Sequence, residues 1–462
     1  MRSMVKPDFS TVDRRALYLA LALILAGIMI YPYFIYAPHL DLPPFPPLGP
    51  HDRILVLAPH PDDEVLGAGG LLLEAREKGA ETMVVIATTG DGYPWAARFC
   101  MYKFAVSSKD LIALGKLRME ESRSGMKILG VPEEQLIFLG YPDQGLMPIW
   151  LKFWDQPFTS RYTRRSQTPY TGLYNNMEFV YSGHHLVTIL EELLLEFRPT
   201  VLVVPHPLDS HPDHWALTCF TLYAGELAKA KGYKPGHIMG YLVHRGTWPH
   251  PRGYRPRLGL NPPRSLNNLG IEWISLDLSP EATLLKARAI RAHRTQRLIM
   301  MGHLDSFARK NELFSEVKAA VLFDVSRPVW IWQDPGSDTL ARRFLPFADI
   351  SGVQLKWDGL ELHVLVHTFG KQAGPSEGEI VLAIPGSDES HPQTIKMERI
   401  KKEGEKVQHK GAVNIKAIFP EDLNSILLLC RTRLGWWNID STPPILVILE
   451  ARGENNVNTT GP

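Results

Sequence analysis

The sequence contains few cysteines and no excess of charge of either sign. Its 462 residues include only three cysteines, Cys100, Cys219 and Cys430. An odd number of widely spaced cysteines excludes a disulfide framework and any cysteine-based zinc cluster. The 50 Lys and Arg residues balance 49 Asp and Glu residues, so the formal net charge is +1. This balance gives no sign of a nucleic-acid-binding surface, and we expect no nucleic-acid partner.

Charge is absent altogether from residues 16–37, "ALYLALALILAGIMIYPYFIYA". As a helix with a rise of ~1.5 Å per residue, this segment spans roughly 33 Å, enough to cross a bilayer. A cleaved signal peptide is the alternative, but the apolar run is long for one and no A-x-A site follows it. We therefore predict a single transmembrane anchor at residues 16–37.

The basic residues around this segment predict its orientation in the cell membrane. Four of them, Arg2, Lys6, Arg14 and Arg15, precede the apolar run, whereas the dozen residues after it contain no Lys or Arg. The positive-inside rule then places residues 1–15 in the cytoplasm and the rest of the chain outside the cytoplasm. Because the flanks of the run are short, the opposite topology stays open.

The segment after the predicted anchor, residues 38–50, contains six prolines, which favour an extended linker that holds the next domain off the membrane. From residue 53 onward, short apolar runs alternate with amphipathic stretches. "RILVLAP", a helical stretch and "ETMVVIATTG" form a βαβ pattern that recurs up to "TVLVVPH". This alternation predicts an α/β domain at residues 51–340 with a Rossmann-like open parallel sheet.

The C-terminal part, residues 345–462, has a different pattern. Short alternating strands follow one another without helices, and "VQLKWDGLELHVLVH" predicts a hairpin about Asp358-Gly359. The pattern indicates a β-sandwich. Carbohydrate binding is one interpretation of its tryptophans, Trp357, Trp436 and Trp437; packing in the core or between domains is the favoured one.

Two polar clusters follow predicted parallel strands. "PHPDDE", with His60, Asp62 and Asp63, comes directly after "RILVL", and "DSHPDH", with His211 and His214, comes after "TVLVV". Ligands of such sheets bind beyond the carboxyl ends of the strands, so we expect the two clusters to meet at one edge. An isolated cluster of this kind is also compatible with a helix N-terminus or a turn. The two together favour a functional site.

Crowded carboxylates repel one another, and a bound cation is the expected compensation. Catalytic zinc commonly takes three His or carboxylate ligands and leaves a position for water. His60, one of the adjacent aspartates and a histidine of "HPDH" supply such a set, and the remaining aspartate is then a candidate general base. Spacing alone does not decide which aspartate is the ligand.

These two motifs and the later "KARAIRAHRTQ" resemble the PIG-L family of zinc-dependent N-deacetylases, also called the LmbE-like family. The resemblance covers about residues 51–300 and implies a PIG-L-like fold with Zn²⁺ as cofactor. It implies that His60, Asp63 and His214 bind zinc. It further implies that Asp62 is the general base.

The resemblance also implies roles for four other residues. His211 stabilises the oxyanion or protonates the departing amine, and Asp213 orients His211. Arg118 and Asp143 match the positions that contact substrate in the family. From the residues alone, two other interpretations are open: Arg118 pairs with Glu121 on a helix face, and Asp143 caps a turn. Three further residues match the later motif: Lys286, His293 and Gln296. Whether they support the site or contact the substrate is left open by the sequence.

Two features set this sequence apart from the family pattern. Some thiol-precursor deacetylases have a tyrosine two residues before the first His of the second motif, where this chain has Asp209. In addition, an aromatic segment lies between Asp143 and residue 184. Its rings either form a wall for a sugar ligand or pack the segment onto the domain. The substrate is therefore not transferred from any one member.

The resemblance and the predicted anchor together indicate a membrane-anchored zinc N-deacetylase. Its expected substrate is an N-acetylglucosamine-type sugar in a glycan or glycolipid, and its products are acetate and a free amine. Two alternatives remain open. One is a zinc amidase that acts on a longer acyl or conjugate amide, and the other is an anchored glycan-binding protein without catalysis.

Overall fold

The computed structural model covers most of the chain beyond residue 40. It describes residues 18, 19, 21, 23, 40–174, 179–267, 269–300, 302–323, 327–334, 345–357, 361–370, 376–385, 392–400, 408–414, 425–434 and 437–450. Residues 1–15 and nearly all of the predicted anchor lie outside this set. Among the described residues, no helix combines the length and apolar character needed to cross a membrane.

The first domain is built on one seven-stranded sheet. Its strands are β1 (Arg53–Ala58), β2 (Glu81–Thr88), β3 (Leu136–Tyr141), β4 (Val201–Pro205), β5 (His237–Tyr241), β6 (Trp273–Asp277) and β7 (Asn311–Glu316). They lie in the order β3-β2-β1-β4-β5-β7-β6. Strands β1 to β4 are parallel, as predicted, and β5 is parallel to β4. The sheet is nevertheless mixed, because β7 is antiparallel to both β5 and β6.

Eight helices of the described residues surround this sheet. They are α1 (Asp63–Lys78), α2 (Pro94–Cys100), α3 (Ser108–Leu129), α4 (Leu146–Lys152), α5 (Gly183–Phe197), α6 (Pro212–Ala230), α7 (Pro280–Ala292) and α8 (Arg294–Ile299). Local sequence sets several of their ends. Ser107 and Asp110 form a capping box at the start of α3, and Gly79 ends α1 in the left-handed conformation that favours glycine.

The proline-rich segment is extended, as expected, but it packs against the domain. The amide of Phe45 donates to the carbonyl of Ser275 at 2.8 Å, and the Ser275 amide donates to Pro43 at 2.9 Å. The ring of Phe45 is buried and lies edge-on to Phe314 at 5.1 Å. Residues 43–45 therefore extend the sheet beside β6 and do not act as a free spacer.

Two further sheets form the C-terminal domain. Their strands are β8 (Ala320–Phe323), β9 (Val329–Gln333), β10 (Ile350–Trp357), β11 (Glu361–Thr368), β12 (Glu377–Ala383), β13 (Gln393–Lys396), β14 (Glu398–Ile400), β15 (Gln408–Asn414), β16 (Ser425–Leu434), β17 (Trp437–Ser441) and β18 (Ile445–Glu450). One sheet has the order β14-β15-β11-β10-β9. The other has the order β13-β12-β16-β18-β8, with β17 beside β16. Apolar side chains from both sheets share one core.

The C-terminal domain begins earlier than the sequence pattern suggested. Strand β8 pairs with β18, and β9 pairs with β10, so the boundary lies before Ala320 and not at residues 340–345. The predicted hairpin strands are present as β10 and β11. Trp357 packs against the sandwich core, Trp436 lies outside the described residues, and the side chain of Trp437 is not described.

Helix α6 connects the two domains. Its Tyr223 hydroxyl donates to the carbonyl of Ile384 at 3.3 Å. Ala383, Leu427 and Leu446 of the C-terminal domain belong to the same apolar core as the first sheet. The two domains are therefore packed together through α6, the helix that begins at the second polar motif.

Candidate active site

The candidate site lies where the strand order of the first sheet reverses, between β1 and β4. In α/β sheets this switch point opens a crevice at the carboxyl ends of the strands. Here it holds a cleft of about 240 Å³. Residues from the loops after β1, β3, β4 and β5 line the cleft together with Arg118 of α3. Both sequence motifs thus reach the same edge of the sheet, as predicted.

Asp63 lies between two histidines of the two motifs. Its Oδ2 atom is 3.1 Å from Nδ1 of His60 and 3.0 Å from Nε2 of His214. Each of these three side chains is less than one tenth exposed. Both ring nitrogens of His214 are buried without a hydrogen bond of good geometry, although each faces a carboxylate. Two unpartnered imidazole nitrogens beside the buried carboxylate of Asp63 fit a metal site.

The electrostatics of this cluster favour a cation. Burial alone would lower the pKa of His214, but Asp209 and Asp63 raise it to about 9. Burial likewise opposes the charged form of His60, yet its contacts with Asp143, Asp213 and Asp63 raise its pKa well above the ordinary value. The carboxylates therefore hold positive charge at this point of the cleft. A divalent ion satisfies the same demand, as the sequence argument expected.

Asp62 lies beside this cluster in a strained backbone conformation. Its φ angle is 130°, a region where a residue with a side chain costs about 1–3 kcal/mol and where strain often marks a functional position. Burial raises the pKa of its carboxyl well above the ordinary value, against the opposing effect of Arg118, whose Nη2 is 3.7 Å away. A carboxylate with a raised pKa suits a general base.

His211 also lines the cleft. Its Nδ1 accepts the backbone N–H of Asp213 at 3.2 Å, where it caps the first turn of α6. Because Nδ1 is an acceptor there, the ring proton lies on Nε2, which is free to donate. Burial lowers the pKa of His211 to about 2, reinforced by the positive charge of His60 and His214. The ring is therefore neutral.

The carboxylate of Asp213 holds a different histidine from the one that the resemblance implied. Its Oδ2 lies 3.2 Å from Nε2 of His60, and the two oxygens accept the backbone N–H groups of Gln144 and Leu146 at 2.6 and 3.1 Å. Asp213 reaches His211 through its backbone amide. Its carboxylate thus orients His60 and the loop after β3.

Asp209 plays the matching part for His214. Its Oδ2 is 3.2 Å from Nδ1 of His214 and accepts the backbone amides of Val243 and His244, each at 2.9 Å. Burial alone would raise the pKa of Asp209, but His214 and His244 hold it well below the ordinary value. A carboxylate behind a ligating histidine fixes the ring and raises its basicity. Sequence reasoning noted Asp209 only as a departure and missed this contact.

Both residues predicted to contact the substrate lie at the cleft. Both also make hydrogen bonds or close contacts with other groups of the protein. Arg118 is buried and donates to the carbonyls of Gly90 and Pro61 at 2.9 and 2.8 Å. Asp143 accepts the backbone amide of Gly92 at 3.2 Å, and its Oδ1 lies 3.3 Å from Nε2 of His60. Their roles toward a substrate stay predictions.

Comparison with known proteins supports the resemblance. The model of the PIG-L family, described as GlcNAc-PI de-N-acetylase, matches residues 55–224. Residues 55–224 form a PIG-L domain. This range contains every residue of the cluster around Asp63.

Two curated relatives of the PIG-L domain have the same name, 1D-myo-inositol 2-acetamido-2-deoxy-alpha-D-glucopyranoside deacetylase. The one from Streptomyces avermitilis is 27% identical over 272 residues, which cover 54% of this chain and 83% of the relative. The one from Corynebacterium glutamicum strain R is 28% identical over 166 residues, which cover 35% of this chain and 49% of the relative. These homologues are deacetylases, which are hydrolases of amides.

A solved structure of N,N'-diacetylchitobiose deacetylase from Pyrococcus horikoshii is also similar. It is 19% identical, with a TM-score of 0.35, and the match covers 67% of this chain and 94% of that one.

The residues of the third motif divide between support and lining. Lys286 is fully buried behind the PIG-L cleft, where its Nζ lies 2.5 Å from Glu312 and 2.9 Å from the carbonyl of Leu66. His293 is also buried, and its Nε2 atom lies 3.5 Å from Oε1 of Glu64. Gln296 lines the cleft. Only Gln296 of the three is therefore placed to touch a substrate.

The aromatic segment after Asp143 contributes both to the core and to the wall. Trp150, Trp154 and Tyr170 are buried in the PIG-L domain core. Arg161 and Tyr162 instead bond to the side chain of Gln144 at 2.6 and 2.9 Å. They line a second cavity of about 500 Å³, which adjoins the cleft at Asp143 and His211.

Three further residues line the cleft without a signal that marked them in the sequence. His244 follows β5, and His303 and Met300 follow α8. The ring of His244 lies 4.8 Å from that of His214 and 6.2 Å from that of His303. Position after a parallel strand is the one signal that would have found His244.

Proposed function

We propose that the protein is a metal-dependent N-deacetylase that hydrolyses the acetamide of an N-acetylglucosamine-type sugar in a glycan or glycolipid. The observation that carries this proposal is the convergence of His60, Asp63 and His214 beside the strained Asp62 in one cleft. The deacetylase names of the PIG-L relatives support the acetamide as the bond cleaved. The products are acetate and a primary amine.

The donor set of the cluster suits zinc. His60, Asp63 and His214 would hold the ion, which when bound supplies Lewis-acid activation of water and of the acetamide carbonyl. A set of two imidazoles and one carboxylate also accepts iron or cobalt. Asp209 and Asp213 keep the two imidazoles in place, since each accepts backbone amides and faces one ring.

Asp62 and His211 divide the proton chemistry. Asp62 takes a proton from the attacking water, and burial, which raises the pKa of its carboxyl, favours the protonated form that results. His211 is neutral with its proton on Nε2, so it donates a hydrogen bond to the oxygen that becomes negative in the tetrahedral species. The geometry thus favours oxyanion stabilisation over amine protonation by His211. Asp62 returns its proton to the departing amine.

The test is acetate release from the metal-loaded full-length protein on N-acetylglucosamine oligomers and glycolipids. Asp62→Asn keeps the shape and the backbone preference of the residue, and we expect it to lower kcat by about 10²–10⁴-fold while the bound zinc stays unchanged. The bound metal is measured in the same samples. If the metal-loaded wild-type protein releases no acetate from any of these substrates, the proposal fails.

A longer acyl group is the second candidate for the cleaved amide. The cavity of about 500 Å³ that adjoins Asp143 and His211 is lined in part by Met147, Pro148 and Phe158, which suit an alkyl chain. Matched N-acetyl and N-octanoyl glucosamine glycosides distinguish the two. Faster hydrolysis of the octanoyl compound would favour the amidase, and faster hydrolysis of the acetyl compound would favour the deacetylase.

The proposed location is the cell membrane, with residues 1–15 in the cytoplasm and the enzyme domain on the outer side. The charge-free run at 16–37 and the basic residues before it support this topology. Protease treatment of intact cells tests it. We expect the C-terminal epitope to be digested, and a protected epitope would contradict the orientation.

A further inference from the structure

Helix α2 presents its large side chains to solvent and its small ones to the protein. Trp95 and Phe99 are 57% and 55% exposed, whereas Ala96 and Ala97 are fully buried. The two rings lie one helical turn apart with their centroids at 6.4 Å. A surface helix of a globular domain normally buries its apolar residues. The outward face of α2 is therefore built to contact something outside the domain.

The chain that follows α2 adds two more aromatic side chains. Tyr102 is 96% exposed and Phe104 is 97% exposed. We call Trp95, Phe99, Tyr102 and Phe104 the aromatic patch. Single exposed apolar residues are common, but four large aromatic residues within ten positions mark an interaction surface.

The charged side chains within residues 92–109, which contain the aromatic patch, are all basic. Residues 92–109 contain Arg98, Lys103 and Lys109 and no Asp or Glu. The Arg98 guanidinium lies 5.0 Å from the ring of Trp95, and Lys103 pairs with Asp110 at 3.5 Å, just beyond the segment. Aromatic rings beside Lys and Arg are the composition of segments that lie in the interface of a bilayer with anionic lipids.

The aromatic patch stands beside the mouth of the cleft. Tyr93, which directly precedes α2, lines the cleft. On its inner side, α2 packs through Ala96 and Ala97 against α3 and against Ile299 at the end of α8. The next residue, Met300, lines the cleft as well. One wall of the cleft and the aromatic patch are thus parts of the same local structure.

We propose that the aromatic patch inserts into the interface of an anionic lipid bilayer and sets the mouth of the cleft at the membrane surface. An acetylated sugar attached to a lipid then reaches the cleft while its acyl chains stay in the bilayer. The insertion stands on the patch itself, whereas the lipid-borne substrate rests on the proposed deacetylase function. The basic side chains among these aromatic rings favour anionic lipid over an acceptor protein surface that carries both signs.

Tryptophan fluorescence tests the insertion at one residue. The full-length protein is bound to phosphatidylcholine and phosphatidylglycerol vesicles whose acyl chains are brominated near the headgroup. Trp95 is one of 11 tryptophans, and residues 16–37 contain none, so quenching does not report on the predicted anchor. We expect Trp95→Phe to remove a quenched component of the emission. Trp330→Phe, at a residue that is 44% exposed in the C-terminal domain, is the matched control and should leave that component in place.

A second measurement separates insertion from the reaction. Tyr102→Ser with Phe104→Ser changes two almost fully exposed side chains and should leave the fold intact. We expect this variant to lose about tenfold or more of the activity on vesicle-borne substrate and none on a water-soluble one. Val321→Ser with Val329→Ser, exposed apolar residues of the C-terminal domain, should change neither.

The outcomes are distinguishable. Equal quenching of the wild type and Trp95→Phe would overturn the insertion. It would also be overturned if the wild type is a dimer and the variant Tyr102→Ser with Phe104→Ser is a monomer. Quenching of Trp95 without acetate release from any substrate would support the bilayer contact and reject the deacetylase function. Acetate release with an unquenched Trp95 would support the deacetylase function and reject the bilayer contact.

Discussion

At the scale of single residues, the site depends on buried carboxylates that face its two central histidines. Asp63 lies between His60 and His214, Asp213 faces His60, and Asp209 faces His214. These contacts join residues that are distant in sequence. The acidic residues of the two motifs therefore have separate tasks, although their spacing alone does not separate them.

Asp209→Asn tests the support of His214. The change removes the negative charge behind the ring and offers the ring an amide instead, so we expect zinc affinity to fall by about 10–100-fold. Competition with a chromophoric chelator measures this affinity. Asp305→Asn, at a half-buried carboxylate that pairs with Arg297 at 3.1 Å, is the control and should bind zinc like the wild type. Unchanged affinity in both variants would show that Asp209 serves the backbone of the loop after β5 alone.

Glu64 makes the stability of the protein depend on pH. Burial raises its pKa from 4.5 to about 7, although the backbone N–H of Asp62 and the side chain of Ser122 favour its charged form. The native state therefore holds the proton more tightly than the unfolded state does. Through this group, stability is highest below the unfolded pKa and falls as the pH rises through about 7, by about 3 kcal/mol at most.

Glu64→Gln removes this titration. We expect the variant to be more stable than the wild type at pH 8 by about 1–3 kcal/mol and to lose that advantage at pH 4. Urea unfolding at both pH values measures the difference. If the wild type is as stable as Glu64→Gln at pH 8, or more stable, then ionisation of Glu64 does not destabilise the folded protein.

At the scale of elements, helix α1 lies unusually close to the sheet. A Cβ atom on Gly67 would come within 2.1 Å of the ring of Tyr241 in β5, whereas one on Gly69 would meet its neighbours at 3.4 Å or more. The Tyr241 hydroxyl donates to the carbonyl of Leu57 in β1 at 3.0 Å, so the ring is held in place. The carboxyl ends of β1 and β5 and the start of α1 are locked together at the cleft.

Two glycine substitutions on α1 give a matched pair. We expect Gly67→Ala to destabilise the protein by about 1–3 kcal/mol because the tyrosine ring has to move. Gly69→Ala adds a side chain in ordinary contact and removes the flexibility of glycine, so we expect a change between zero and a gain of about 1 kcal/mol. Thermal unfolding of the two variants measures both. Equal effects would indicate that Tyr241 shifts freely.

The elements that sequence reasoning recovered are those with a clear apolar pattern. Strands β1 to β4 have buried apolar runs, and this pattern together with the two motifs predicted their parallel arrangement and the edge that holds the cleft. Strand β7 was missed because Asn311, Glu312 and Ser315 are polar yet buried. Glu312 forms an ion pair with Lys286 and accepts hydrogen bonds from two backbone amides of α1. Such long-range compensation leaves no periodic signal in the sequence.

At the scale of the whole molecule, the proline-rich segment connects the predicted anchor to one edge of the sheet. Its residues 43–45 pair with Ser275 of β6, the last strand at that edge. This contact lies before the start of the PIG-L match at residue 55. The prolines keep the segment extended, while the buried ring of Phe45 decides where it is bound.

Phe45→Ala tests whether this contact fixes the domain relative to the segment before it. Loss of the buried ring costs about 3–5 kcal/mol in a rigid core. We expect that cost to appear as local release of residues 43–45, since a short segment at the sheet edge can detach without unfolding the sheet. Hydrogen exchange of the Phe45 and Ser275 amides should then become much faster in the variant, with little change in the amides of β1. Leu40→Ala, at a residue 41% exposed, is the control. If the amides of β1 exchange faster to the same degree, Phe45 is part of the global core. The segment is then an integral strand of the enzyme domain.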